Sequence, residues 1–210
     1  MRFSSLGHIS RFFFILVLLV VSSGQVSAAS KAESNAWKAA IASSLSLIYI
    51  TNPAKADRMI FEMGGGESVN IVRAGAQWDW EKDVLSFLGF DLGAYLQLDY
   101  AKWQSTKDSS QEGANNSLGF TPVFRFTRNT GPATLYLDTS IGIAFISSNQ
   151  INDSGFGSSF QFTDSLSAGA LFGNRRQWGV GYKFNHMSNN AIALPNNGIN
   201  FHLVSISYQY

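Results

Sequence analysis

The chain has 210 residues, a formal net charge of +1 and no cysteine, so a disulfide scaffold, a Cys-ligated metal and a thiol nucleophile are excluded. No basic field argues for nucleic acid. Charged residues make up 14% and aromatics 14%, with 19 glycines and 5 tryptophans, a balance poor in helix formers and suited to strands, tight turns and membrane interfaces.

Residues 1–28 read as a secretory signal peptide: Arg2 and Arg11 supply positive charge, Phe12 to Val21 form an apolar run, and Val26-Ser27-Ala28 offers small residues for cleavage. A second apolar stretch, Ala39 to Ile50, precedes Ala54-Lys55-Ala56, which also has the form of a cleavage site. The first site is preferred for its stronger apolar run, which leaves 29–56 as an N-terminal extension; cleavage after Ala56 would make it part of a long leader. Either way the chain is exported, and nothing after residue 56 can span a membrane as an apolar helix.

From Asp57 to Tyr210 the chain breaks into segments of period two, the pattern of strands with one face towards lipid. The clearest sets Phe90, Leu92, Ala94, Leu96, Leu98 and Tyr100 against Asp91, Gly93, Tyr95, Gln97 and Asp99. The segments predict strands near 57–64, 69–80, 89–103, 117–128, 132–146, 157–172, 177–188 and 199–210. Eight such strands form an all-β, antiparallel transmembrane β-barrel over 57–210, with an interior filled by side chains rather than a channel. Gly64-Gly65-Gly66-Glu67 reads as the first hairpin turn, and 81–88 as a link with a helical turn. Short turns at 129–132 and 173–176 contrast with longer polar links at 104–116, 147–156 and 189–198. That contrast puts the long loops outside the cell and both termini in the periplasm. The chain closes on an aromatic, Tyr210, in the manner of bacterial outer-membrane proteins.

On segment 177–188, period two puts Trp178, Val180, Tyr182 and Phe184 on the lipid face, and His186 and Ser188 continue it. Two residues apart on a strand, a histidine and a serine lie side by side, an arrangement that suits a general base beside a hydroxyl nucleophile. The bland reading is a polar strand end at the membrane boundary. Five asparagines, a proline and a glycine follow within 189–200, which is either turn chemistry or a shaped, hydrogen-bonding loop over the pair.

The run His186-Met187-Ser188-Asn189-Asn190, followed after four residues by Pro195-Asn196-Asn197-Gly198-Ile199, resembles the signature of the outer-membrane lipid A 3-O-deacylases, the PagL family. The family pattern is His-x-Ser-Asn-Ala, a short spacer, then Pro-Asn-Asp-Gly-Ile-Glu. Ala76-Gln77-Trp78-Asp79-Trp80, Thr121-Pro122-Val123-Phe124, Ser140-Ile141-Gly142-Ile143, Gly157-Ser158-Ser159-Phe160 and Ala168-Gly169-Ala170 extend the likeness over essentially all of 57–210. The resemblance implies a barrel with a lipid-exposed serine-hydrolase site. Its substrate would be the lipid A of lipopolysaccharide, losing the ester-linked hydroxyacyl chain at the 3-position in the outer leaflet, with no metal or other cofactor. It further implies Ser188 as nucleophile, His186 as general base, and Asn189 and Asn196 as residues that shape the site or stabilise the oxyanion.

One position departs from the pattern. The acid that orients the histidine in the family falls at Asn200, and no Asp or Glu occurs from Ser165 to Tyr210. An amide oxygen can hold a histidine tautomer, as in Cys-His-Asn proteases, but it carries no charge; acid-to-Asn exchange in a serine protease costs ~10⁴ in turnover. Three readings stay open: Asn200 orients in a slower enzyme, another carboxylate substitutes, or the barrel binds lipopolysaccharide and serves a structural role with little or no turnover. Asp164 is the candidate substitute, expected roughly opposite Asn185 on the lipid face; its bland role is an inward partner for Lys183 or Arg125. A monomer and a homodimer are both compatible with the sequence.

Overall fold

The computed structural model describes residues 52, 54–80, 85–87, 89–107 and 113–210. The expected leader and most of the 29–56 extension lie outside the described residues. The barrel belongs to the unit that spans residues 56–210.

Eleven strands follow one another in the described residues: β1 (Arg58–Gly66), β2 (Val69–Asp79), the short β3 (Leu85–Phe87), β4 (Phe90–Ser105), β5 (Ala114–Asn129), β6 (Thr134–Ile146), the two-residue β7 (Gln150–Ile151) and β8 (Ser154–Gly155), β9 (Phe160–Phe172), β10 (Trp178–Ser188) and β11 (Ile199–Gln209). The eight long ones pair antiparallel with both neighbours, in the order β1, β2, β4, β5, β6, β9, β10, β11 and back to β1. Closure leaves none of these eight strands at an edge, as a sheet in hydrocarbon requires. The alternation of the sequence maps directly onto this ring. Leu135, Leu137, Ile141 and Phe145 of β6 point out and are exposed, while Tyr136, Asp138, Ser140 and Ala144 are buried inside.

Three sequence expectations shift. The glycines 64–66 remain in β1, and the turn itself is Glu67-Ser68, both with positive φ of 52° and 64°. Glycine is needed at 64 and 66 for another reason: a Cβ there would lie 1.9 Å from His202 O and 2.0 Å from Asn200 O, so β11 packs against a bare backbone. Within the expected helical link, Leu85–Phe87 instead forms a strand against Phe90–Leu92. Finally, the strand expected from 157 begins at Phe160, because Gly157 turns the chain at φ +61°.

The barrel interior is polar towards the short-turn end and apolar towards the long-loop end. Fully buried Glu62 lies 3.1 Å from Arg73 Nη1 and 2.6 Å from Lys183 Nζ, and Arg73 also donates to Asn185 at 2.8 Å. Arg125 pairs with Asp138 through two 2.7 Å contacts. Buried charges are tolerable when paired this closely. Above them, Val69, Ile71, Trp103, Ile151, Phe156, Met187, Ile199, Phe201 and Leu203 pack into one apolar plug. The outward neighbours of Met187, Ile199 and Phe201 are the candidate site residues, which are therefore mounted on a packed wall.

Candidate active site

The site forms where β10, β11 and the β1–β2 turn meet at the long-loop end, on the outer surface. Along β10, Trp178, Val180, Tyr182 and Phe184 are exposed, and half-buried His186 and Ser188 continue that outward row. On β11, Asn200 lies directly across from His186 in the register, followed outward by His202, Val204 and Ile206.

His186 Nδ1 and Asn200 Oδ1 are 2.8 Å apart. The other end of the same amide faces away: Asn200 Nδ2 donates to Glu67 Oε1 at 2.8 Å, and the Asn200 backbone N–H donates to the same oxygen at 3.0 Å. Since a carboxylate can only accept, Nδ2 must be the end at Glu67 and Oδ1 the end at His186. An amide oxygen in turn only accepts, so His186 carries its proton on Nδ1. The lone pair is left on Nε2. Sequence reasoning placed Asn200 at the histidine but gave no part to Glu67, which is 133 residues away along the chain.

Gly198 closes over the pair. A Cβ built there would meet His186 Cε1 at 3.0 Å and Ser188 Cβ at 3.5 Å, and its φ of +66° is one that side chains rarely adopt. The rest of the 189–198 loop is held by asparagines. Asn189 is buried; its Nδ2 donates to Ala193 O at 2.8 Å and to Phe156 O, while its backbone N–H donates to Asn196 Oδ1 at 2.9 Å. The amide of Asn189 thus shapes the loop. Asn197 is tied to Gly155 through a 3.1 Å backbone bond and a 3.2 Å side-chain bond, so the loop between β6 and β9 braces the one over the pair.

Asp164 lies opposite His186 in the β9–β10 register, one residue from the expected partner, and it is exposed on the outward face. Lys183 and Arg125 pair instead with Glu62 and Asp138. Among the described residues, no hydrogen bond joins the Asp164 carboxylate to His186. Nearby on the same face, Tyr182 Oη and His202 Nδ1 are 2.5 Å apart, and the Phe184 and His202 rings are 5.4 Å apart. Together they extend an aromatic surface from the pair towards the barrel middle.

Comparison with known proteins agrees with the barrel fold and with the family that the sequence resembles. A family model described as "Lipid A 3-O-deacylase (PagL)" matches residues 70–209. The chain is 30% identical over 161 residues to the lipid A deacylase PagL of Pseudomonas aeruginosa, covering 76% of this chain and 90% of that one. It is 33% identical over 89 residues to the lipid A deacylase PagL of Bordetella bronchiseptica, covering 42% and 47%. The crystal structure of the outer membrane enzyme PagL superposes with a TM-score of 0.65 at 27% identity, over 73% of this chain and 99% of that chain.

Proposed function

The chain belongs to the lipid A 3-O-deacylase (PagL) family of outer-membrane β-barrel hydrolases, and from that premise we propose that Ser188 and His186 hydrolyse the 3-position ester of lipid A. The observation that carries the proposal is the 2.8 Å His186–Asn200 bond on the lipid-facing surface. It leaves a free basic nitrogen on the same strand face as Ser188. The long-loop end lies in the outer leaflet, which brings the site level with the glucosamine backbone of lipid A.

In the reaction, Ser188 Oγ attacks the ester carbonyl and gives its proton to His186 Nε2. His186 then protonates the departing 3-oxygen of the sugar, and the hydroxyacyl group is left on Ser188. Water, deprotonated by the same nitrogen, attacks this acyl-enzyme; the acyl–Oγ bond breaks, Nε2 returns its proton to Ser188 Oγ, and the hydroxy fatty acid leaves. Asn196, whose Oδ1 is occupied by the Asn189 N–H, turns its Nδ2 to the developing oxyanion; such a donor supplies ~3 kcal/mol. Asn189 holds the loop that presents it. Tyr182, Phe184 and His202 bed the acyl chain. Asp164, across from His186 without engaging its Nδ1, takes no part in orienting the base.

Mass spectrometry of lipid A from cells expressing the protein tests this. Wild type is expected to remove one hydroxyacyl mass and Ser188→Ala none. Release that persists in Ser188→Ala would sink the serine mechanism. The uncharged Asn200 favours a second reading, a lipopolysaccharide-binding barrel with impaired turnover. A silent wild type that gains activity on Asn200→Glu would establish that reading instead.

A further inference from the structure

We propose that Glu67, in the β1–β2 turn, is a positioning residue that restores through Asn200 the function of the missing acid. The inference rests on the deacylase reading for its role in turnover, but not for its geometry. An asparagine beside a histidine has two faces with opposite effects. With Oδ1 at Nδ1 the proton is held there and Nε2 is the base. With Nδ2 at Nδ1 the proton moves to Nε2, and the imidazole can no longer accept from a serine. Isolated Asn200 could adopt either. Glu67 breaks the tie: its ionised oxygen accepts from Asn200 Nδ2 at 2.8 Å and from the Asn200 backbone N–H at 3.0 Å, so the amide is locked with Oδ1 at His186. The relay also places a negative charge at the far end of a polarised amide, where it favours the imidazolium of the transition state.

The surroundings keep the turn that carries this carboxylate in place. Ser68 O, next to Glu67, accepts from Thr106 N at 2.9 Å and from Asn152 Nδ2 at 3.1 Å, so two long loops fix the turn. Gly66, which a Cβ would drive to 2.0 Å from Asn200 O, lets the turn come down onto the start of β11. The turn connects its strands with only two residues at positive φ, where Asn-Gly is the favoured pair. Glu at such a position is the wrong choice for the turn and the right one for Asn200.

The test measures hydroxyacyl release from lipid A by the purified full-length barrel in detergent. Glu67→Gln keeps the reach and loses the charge and the acceptor-only character. Glu67→Asn tolerates positive φ but is too short to reach. Both are expected to lower kcat about 10- to 100-fold with KM unchanged, the worth of a hydrogen bond to a charged group. In the Asn200→Glu background the sign reverses: a carboxylate then contacts His186 directly, Glu67 repels it, and either substitution raises turnover or no longer lowers it. Equal losses in both backgrounds would reduce Glu67 to a structural turn residue and overturn the proposal, as would no loss beside Asn200. Nitrogen-15 NMR of His186 reads the relay without turnover. A single Nδ1–H tautomer in wild type should become a mixture in Glu67→Gln. Should wild type release nothing while the tautomer shifts, the deacylase reading falls and the relay stands. Release with an unchanged tautomer does the reverse.

Discussion

Gly198 leaves the His186–Ser188 pair no slack. Its φ of +66° and the 3.0 Å approach of an added Cβ to His186 Cε1 mean that Gly198→Ala must both strain the backbone and push the imidazole. The strain costs upwards of ~1 kcal/mol. The larger effect is on chemistry, because displacing a catalytic group by an ångström can lower the rate about 10²-fold. Steady-state kinetics of Gly198→Ala should therefore show a loss in kcat far beyond its modest loss of thermal stability. Near-wild-type turnover would show that the imidazole has room to move. At this scale the sequence was informative where strand parity governs and silent where it does not. His186 and Ser188 were placed on one face by counting in twos and Asn200 beside them by the family pattern, and the structure puts His186 and Asn200 directly across from each other. Asp164 was placed one residue off, since the exact register depends on the turn at 173–177. Glu67 was invisible because nothing local connects it with Asn200.

That blind spot belongs to the elements rather than to the residue. The contact between Glu67 and Asn200 exists only because β1 closes the barrel on β11, and period two says which way a side chain points without saying which distant strand lies beside it. The run of glycines was misread for the same reason. Read locally it is a turn; in the sheet it is a stretch of β1 stripped of side chains for close approach to β11. The loops between strands show the same interdependence. Phe156, fully buried, packs edge-on against Trp103 at 6.1 Å between ring centroids, and its carbonyl receives the Asn189 amide. Phe156→Ala empties part of the apolar plug and should cost about 3–5 kcal/mol of unfolding free energy. Because that plug backs the loop over the site, kcat should fall with it. Urea unfolding and hydroxyacyl release measured on the same preparation check both. A destabilised barrel with full activity would mean that the loop holds itself.

Over the described barrel, the two faces divide the labour. Inside, ion pairs such as Glu62 with Arg73 and Lys183 fill one half of the barrel and the apolar plug the other, while the exposed apolar residues outside form its contact with lipid. A charge introduced on the outer face near mid-membrane should be costly: Leu137→Arg is expected to lose ~2–4 kcal/mol. Folding equilibria into lipid vesicles measure it, and an unchanged midpoint would place Leu137 outside the hydrocarbon. The outward position of the candidate site has a kinetic consequence of its own. With the proposed chemistry on the perimeter of a filled barrel, substrate and enzyme would meet by lateral diffusion in the plane of one leaflet. The concentration that governs the rate is then the mole fraction of lipid A in that surface. Diluting the membrane with inert lipid should slow the enzyme, while diluting the whole suspension with buffer should leave its rate per molecule unchanged.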